Sequence, residues 1–237
     1  MMKQIGAGIH QIEKAGGCNI YLLVDGGELT LVDTGMPGGA GQIEREMREG
    51  GFNIKDLKKI ILTHAHVDHM GNAAELKKRS GAEVLAHRDE VPYIAGERML
   101  PAGSFQGRMM NWMSDRLLLR GRHCRVDRAL VDGDRIASLG GLYVIHTPGH
   151  TPGSICLYQK MLGILFSGDA LINMNLLNGK EGLHLPIPMA TVDMARARGS
   201  VRSLAETAVE TMCFGHGPPI LSKAGVRVAE WVAAEHI

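Results

Sequence analysis

The sequence predicts a mixed α/β fold, and two observations support this prediction. Short runs rich in β-branched residues alternate with segments of helical apolar spacing, and this alternation occurs in both halves of the 237-residue chain. The connections between the segments are short, with no low-complexity tract or internal repeat. A chain of this length can bury roughly 70–75% of the surface that its unfolded form exposes. We therefore expect a single domain over residues 1–237 that needs no disulfide.

The first half is predicted to consist of short strands, glycine turns and two helices. A hairpin is expected where two β-rich runs flank Asp25-Gly26-Gly27. The predicted strands cover 20–24, 29–32, 59–63 and 82–86, and the predicted helices cover 41–49 and 73–80. A helical insertion follows near 88–128. Within it, residues 97–119 have the pattern of one or two amphipathic helices, interrupted by Pro101 and Gly103.

The second half repeats the pattern of strands and helices. Its predicted strands cover 142–146, 154–159, 163–167 and 211–214, and its predicted helices cover 191–204 and 224–234. Thr191 is the expected N-cap of the first of these helices, with Asp193 in its first turn. A polar, proline-containing loop is predicted over 173–188.

Charge and cysteine usage argue against several classes of protein. The chain carries 26 Lys+Arg against 25 Asp+Glu, and this net charge of +1 gives no electrostatic support for binding nucleic acid or a membrane. The four cysteines are isolated, so no thiolate zinc ribbon or Cys-x-x-Cys redox pair is available. The sequence shows no secretory signal and no apolar run near the roughly 20 residues of a membrane span. We expect a cytoplasmic protein with a small-molecule substrate; the oligomeric state stays open.

Potential metal ligands are concentrated directly after the predicted strand over 59–63. His64, His66, Asp68 and His69 lie within six residues. In extended chain, residues two apart point to the same side, so His64 and His66 can hold one metal ion. Asp68 and His69 follow as the chain turns, which allows them to face a second centre nearby. Packing gives no reason to place three histidines and an aspartate so close together.

Three further candidate ligands also follow short apolar strands. His150, Asp169 and His216 each stand beside glycine, which lets the backbone approach a ligand closely. Functional residues of layered α/β folds collect in loops at strand ends. A residue in such a position, taken alone, is as often a structural turn residue as a functional one.

In this order, these residues resemble the ligand pattern of the metallo-β-lactamase superfamily of metal-dependent hydrolases. The resemblance runs from Asn19-Ile20-Tyr21-Leu22 and Leu31-Val32-Asp33-Thr34-Gly35 to Gly215-His216-Gly217, and so covers nearly the whole chain. It implies a four-layer αββα sandwich of two similar halves.

The resemblance also implies a binuclear metal centre. A first ion would be held by His64, His66 and His150, and a second by Asp68, His69 and His216, with Asp169 bridging both. Asp33 would lie behind the ligands and support them. Imidazole and carboxylate without thiolate suit Zn²⁺, and also Fe or Mn. A metal-bound hydroxide would attack a carbonyl carbon, with Asp68 and Asp169 as the catalytic carboxylates.

Departures from subfamily patterns narrow the expected activity. True β-lactamases replace the equivalent of His69 or lack the bridging carboxylate, so antibiotic hydrolysis is not expected. Flavodiiron proteins carry glutamate where this chain has Ala65, and quorum-signal lactonases usually place tyrosine where it has Ala170. Glyoxalase II enzymes add a helical domain after the equivalent of His216. The chain therefore resembles the glyoxalase-II-like or lactonase-like group, and the expected substrate is an ester, thioester or lactone.

Three alternatives stay open for the activity. A persulfide dioxygenase uses a single iron on a similar ligand pattern and consumes oxygen. A two-metal phosphodiesterase would cleave phosphate esters at the same kind of centre. A binding module without activity would be expected to lose at least one of the seven ligands.

The substrate pocket is predicted between the 97–119 segment and a loop over 173–190. Methionine adapts to varied apolar shapes, so the apolar residues of these segments are candidates for an acyl pocket. The candidate lining residues are Met99, Met109, Met110, Trp112, Met113 and His184. The alternative is that the apolar side chains dock the helices on the core. Arginines at 116, 120, 122, 125 and 128 either meet an anionic substrate or form a solvated face.

Overall fold

The first seven strands form one sheet in chain order. The computed structural model describes residues 2–119 and 122–237. The strands are β1 (Lys3–Gly6), β2 (Ile9–Ile12), β3 (Ile20–Asp25), β4 (Glu28–Val32), β5 (Leu57–Leu62), β6 (Glu83–His87) and β7 (Arg128–Leu130). The first four run antiparallel to their neighbours, and β4 to β7 run parallel. The parallel strands end at the same edge, and the candidate ligand segment from His64 to His69 follows β5 there.

Five helices connect or flank the strands of this first sheet. They are α1 (Ala40–Glu49), α2 (Val67–Met70), α3 (Ala73–Ser80), α4 (Val91–Ile94) and α5 (Phe105–Met113). The last of them continues into a wider π-helical turn over Ser114–Leu118. It begins where the Ser104 side chain accepts a hydrogen bond from the Gly107 backbone N–H, after the break that Pro101 and Gly103 predict.

The remaining strands form a second sheet and a small hairpin. They are β8 (Arg135–Ile136), β9 (Leu142–His146), β10 (Ile155–Gln159), β11 (Ile164–Gly168), β12 (Ile172–Met174), β13 (Glu181–His184) and β14 (Thr211–Phe214). The second sheet has the order β14-β11-β10-β9-β8, while β12 pairs with β13 alone. Helices α6 (Met194–Ala205) and α7 (Ala224–Ala234) pack together and cover this sheet.

Three hydrophobic cores define the layers. Alternating residues of β5 show the arrangement, because Ile60 and Leu62 pack with the helices α1 and α3, whereas Ile61 faces the second sheet. The central core joins Ile61 to Phe166 of β11. A third core places Val201 of α6 against the other side of the second sheet. The layers are therefore helix, sheet, sheet and helix, and the predicted four-layer αββα sandwich is confirmed.

Several predicted elements differ from the observed ones. The segment over 173–188, predicted as a loop, contains most of the β12–β13 hairpin. Helix α6 begins at Met194 rather than 191, because Asp193 is the N-cap and accepts a hydrogen bond from the Arg196 backbone N–H. Strands β1, β2, β7 and β8 were not predicted, since each is only two to four residues long. In the described part of the chain, no helix combines the length and apolar composition needed to cross a bilayer.

Candidate metal centre

Loops at one edge of the two sheets bring the seven candidate ligands together. His64 and His66 follow β5, and the short helix α2 carries Asp68 and His69. The second sheet contributes the other three, which follow β9, β11 and β14: His150, Asp169 and His216. A backbone hydrogen bond of 3.0 Å from the Ile155 N–H to the Thr63 carbonyl joins the two sheets beside the site.

The ligands form two groups of three. In the first, the ring centroids of His64, His66 and His150 lie 4.5 to 4.9 Å apart. Each ring offers a nitrogen atom within 4.8 Å of the other two, a spacing that one metal ion could fill. The second group consists of Asp68, His69 and His216, whose ligand atoms also lie within 4.8 Å of one another. Within it, His216 Nε2 is 3.3 Å from Asp68 Oδ2.

Asp169 lies between the two groups. Its Oδ1 is 3.5 Å from His69 Nε2, and its Oδ2 is 3.3 Å from His216 Nε2 and 3.8 Å from His150 Nε2. The carboxylate therefore faces histidines of both groups. Gly215 makes this position possible, because a Cβ there would lie 2.1 Å from Asp169 Oδ1.

Unpartnered polar atoms converge on the centre of the site. Within the described part of the chain, five buried ligand atoms have no hydrogen-bond partner: Nε2 of His64, His66, His69 and His150, and Oδ1 of Asp169. A buried polar atom without a partner costs about 1–3 kcal/mol, so five together are unfavourable unless they share a partner. Divalent cations accept imidazole nitrogen and carboxylate oxygen as ligands. The residues present therefore fit a metal centre.

Asp33 orients two of the histidines from behind. Its Oδ2 accepts a 2.8 Å hydrogen bond from His69 Nδ1 and another of 2.8 Å from the Thr63 hydroxyl. Because that hydroxyl donates to Asp33, it accepts from His64 Nδ1 at 3.0 Å. Nδ1 of each ring is thus engaged from behind, and Nε2 of each ring faces the centre. Asp33 has a φ of +60°, a conformation that the surrounding hydrogen bonds hold in place.

His150 is oriented by a residue from the segment before α6. Its Nδ1 lies 3.2 Å from the Thr191 hydroxyl, which donates at 2.8 Å to the Ile187 carbonyl. The hydroxyl therefore accepts the Nδ1 proton, and Nε2 of His150 is left free to bind. Thr191, predicted as a helix cap, instead supports a ligand.

Glu90 connects the two loops that supply the first group of ligands. Its carboxylate is fully buried and accepts hydrogen bonds from the Ala65 N–H at 2.7 Å and the Gly153 N–H at 2.6 Å. Ala65 lies between two ligands, and Gly153 follows the loop of His150. Burial raises the pKa of Glu90 to about 7, although both backbone N–H groups oppose this shift.

Burial and neighbouring charges divide the histidines into two kinds. Burial, together with the other histidines nearby, lowers the pKa of His64, of His66 and of His150, the last to about 3. Burial also opposes the charged form of His216, but Asp169 and Asp68 outweigh it and raise the pKa of His216 to about 9. The histidines of the first group are thus neutral at pH 7 and ready to bind a cation, whereas those of the second, His69 and His216, hold protons.

Two neighbouring clusters suit a metal less well. Cys18 lies close to Asp33 and His69, but burial raises the pKa of its thiol to about 11, so it stays protonated. His87 and His146 stack with centroids 4.1 Å apart and planes only 13° from parallel. Two parallel stacked rings cannot both aim an in-plane lone pair at one ion.

A cavity of about 330 Å³ opens over the ligands. Met99, Met110 and Leu176 belong to its apolar wall, and Tyr93 and Arg98 add polar groups. Arg98 and Leu176 lie in the two segments predicted to form the pocket, although neither was named as a lining residue, and Tyr93 lies outside both segments.

The predicted pocket residues divide between this cavity and the surface. Met99 and Met110 line the cavity, and so do Ile187 and Ala190 of the 173–190 segment. Among the described residues, its lining does not include the other four predicted members: Met109, Trp112, Met113 and His184. Neighbouring residues of a helix point about 100° apart, so Met109 faces outward when Met110 faces the cavity. His184 lies in β13, where it pairs with Ile172. Arg120 lies outside the described residues.

Comparisons with known proteins agree with this geometry. The profile of the metallo-beta-lactamase superfamily matches residues 14–216. A probable metallo-hydrolase, YflN of Bacillus subtilis (strain 168), is 33% identical over 204 residues, which cover 81% of this chain and 76% of YflN. The human acyl-coenzyme A thioesterase MBLAC2 is 29% identical over 204 residues, covering 74% of this chain and 68% of that protein.

A solved structure has the same fold. BJP-1, a subclass B3 metallo-beta-lactamase of Bradyrhizobium japonicum, superposes with a TM-score of 0.73 at 25% identity, over 99% of this chain and 90% of BJP-1. The family profile spans most of the sequence, including all seven residues gathered at the sheet edge. The chain belongs to the metallo-beta-lactamase superfamily.

Proposed function

We propose that this protein is a binuclear metal-dependent hydrolase that cleaves an ester, thioester or lactone. The observation that supports this proposal most directly is the convergence of five unpartnered buried ligand atoms below an apolar cavity. His64, His66 and His150 would hold one divalent ion, and a set of imidazole and carboxylate ligands without thiolate suits Zn²⁺.

The second ion would be held by Asp68, His69 and His216, with Asp169 shared between the two. When bound, a pair of divalent ions lowers the pKa of water toward neutrality and polarises a carbonyl oxygen. Fe or Mn would fit the same nitrogen and oxygen donors. The free, buried cysteines are consistent with the proposed cytoplasmic location.

The residues of this chain have separate tasks in the proposed reaction. Asp33 and Thr191 keep the histidine lone pairs directed at the centre. Asp68 is partly exposed and lines the cavity, so its carboxylate is placed to pass a proton to a leaving group. Asp169 is more deeply buried and lies between histidines of both groups, so its position suits a ligand rather than a proton carrier.

The cavity supports a substrate with an apolar acyl part. Its wall is mainly apolar, and Arg98 places a cation beside it. A thioester substrate is also supported by the similarity to the acyl-coenzyme A thioesterase MBLAC2. The carbonyl would lie over the ligands and the acyl group against Met99 and Met110.

Metal quantification coupled to a substrate panel tests this proposal. Protein purified without added metal is expected to contain two divalent ions per chain and to hydrolyse at least one p-nitrophenyl ester, acyl-coenzyme A thioester or lactone. Asp169→Asn should lower kcat at least 100-fold, since it removes a charge from between the two ligand groups. The exposed Asp56→Asn is the matched control and should retain activity.

Other outcomes of the same panel would overturn the proposal. One iron per chain with oxygen uptake would identify an oxidoreductase. Turnover of bis(p-nitrophenyl) phosphate alone would identify a phosphodiesterase, and turnover of a β-lactam alone would identify a β-lactamase. Full metal occupancy with no turnover of any compound would identify a binding protein.

A further inference from the structure

Helix α5 and the turn after it present an apolar face to solvent. Six large side chains of this segment are exposed, from 39% for Leu118 to 71% for Leu117. They are Phe105, Met109, Trp112, Met113, Leu117 and Leu118. We call this surface the α5 face. An exposed apolar surface of this kind marks an interaction site in a folded protein.

The opposite side of α5 is fixed against the protein, so the α5 face cannot turn inward. Gly107 packs against the Met189 carbonyl, where an added Cβ would lie 2.1 Å away. The Asn111 side chain donates hydrogen bonds of 3.0 and 3.2 Å to the carbonyls of Leu100 and Pro101. Met110 and Ser114 line the cavity over the candidate metal centre. Outward exposure of the α5 face is therefore set by the inward contacts.

The sequence around the α5 face is rich in arginine. Between residues 98 and 126 the chain carries six arginines and one acid, Asp115, although the whole chain has a net charge of only +1. Asp115 lies 3.1 Å from His123. Arg108 of α5 and Arg116 of the turn after it are both exposed. The Arg116 guanidinium lies 5.9 Å from the Trp112 ring centroid. The net charge of the chain thus conceals a basic and apolar segment.

We propose that the α5 face binds the surface of an anionic lipid membrane. An amphipathic helix that combines arginine, tryptophan and aliphatic side chains lies in the membrane interface, with its apolar side chains below the headgroups and its cations at the phosphates. The charge argues against a second copy as the occupant, because a twofold interface would place the arginines of one α5 face against those of the other. This proposal does not depend on the reaction catalysed.

Vesicle flotation with the purified 237-residue chain tests the proposal. The protein is expected to float with vesicles that contain phosphatidylglycerol, to stay behind with phosphatidylcholine alone, and to lose binding as salt rises. Arg108→Gln and Arg116→Gln should each lower the partition coefficient roughly fivefold. Met109→Ser with Leu117→Ser should abolish flotation, since insertion depends on buried apolar area.

Matched controls and a local probe keep the test specific. Met161→Ser and Leu177→Ser alter exposed apolar residues outside the α5 face and should leave flotation unchanged. In a Trp231→Phe background, Trp112 is the single tryptophan, and its emission should shift to shorter wavelength on anionic vesicles. Far-ultraviolet circular dichroism verifies that each variant is folded.

Three outcomes would overturn the proposal. The first is failure of the folded wild-type chain to float with anionic vesicles. The second is equal binding to neutral vesicles, which would remove the role of the arginines. The third is a dimer in light scattering that Met109→Ser with Leu117→Ser dissociates, without vesicle binding, which would identify a second copy as the occupant.

Discussion

A single aspartate behind the ligands controls the chemistry of two histidines. Asp33 accepts from His69 directly and from His64 through the Thr63 hydroxyl, and its Oδ1 accepts from the Thr63 N–H at 2.8 Å. The two rings belong to different ligand groups. A change at Asp33 should therefore affect both proposed metal sites rather than one.

Replacing Asp33 by asparagine tests this dependence. An amide offers one acceptor oxygen and an N–H₂ group, so one of the donors now facing Asp33 would meet another donor. We expect metal affinity to fall 10- to 100-fold, measured by competition with a chromophoric chelator. Asp56→Asn is again the control, and unchanged affinity in Asp33→Asn would show that the histidines orient themselves without Asp33.

Residues differ in how far the sequence reveals their role. The seven candidate ligands could be identified from residue type and from their positions after strands. Thr191 and Glu90 could not be, because their partners are distant in sequence: a ring nitrogen of His150 in one case, and the backbone N–H groups of Ala65 and Gly153 in the other. Every residue except proline has a backbone N–H, so a hydrogen bond to that group does not restrict the residue type of the partner.

Among the structural elements, the loops of the first ligand group depend on Glu90. Glu90→Gln can satisfy only one of the two backbone N–H groups, and the other becomes a buried donor without an acceptor. We expect the free energy of unfolding of the metal-free protein to fall by about 1–3 kcal/mol, measured by urea denaturation.

The same variant separates a positioning role from a purely stabilising one. If Glu90 positions the loops, Glu90→Gln should also bind metal more weakly at His64, His66 and His150, at temperatures where the variant is fully folded. Glu97→Gln, at an exposed position in the same segment, should change neither property. Reduced stability with wild-type metal affinity would limit Glu90 to a structural role.

Elements with strong local signals could be predicted closely, and those stabilised by pairing could not. Helices α3 and α7 and strands β9 and β14 have the predicted boundaries. Hairpin β12–β13 was predicted as a loop because its sequence is polar, and it is formed by pairing between Ile172 and His184 and between Met174 and Glu181. The rotation of α5, which separates Met110 from Met109, is set by contacts of Gly107 and Asn111 with distant carbonyls.

At the scale of the whole molecule, the two ligand groups should differ in how metal uptake depends on pH. His64, His66 and His150 have lowered pKa values and are neutral at pH 7. His69 and His216 have raised pKa values, so a cation that binds there must displace their protons. The affinity of the second group for Zn²⁺ is therefore expected to rise with pH up to about 9.

Titration calorimetry in buffers of different ionisation enthalpy measures this difference. Uptake of the first equivalent of Zn²⁺ at pH 7 should release few protons, and uptake of the second should release more. The first equivalent is thus the internal control for the second. Equal proton release in both steps would contradict the assignment of charge to the two groups.

The distribution of ligands along the chain has a consequence for synthesis in the cell. The first group is completed by His150 and the second only by His216, which follows the last strand, β14. A nascent chain emerges from the ribosome with its N-terminus first, so the His64 to His69 segment is exposed long before its partners are made. During that interval the early histidines can bind stray cations with incomplete coordination. Loading of the proposed metal centre with its full ligand set must therefore wait until β14 has joined the second sheet.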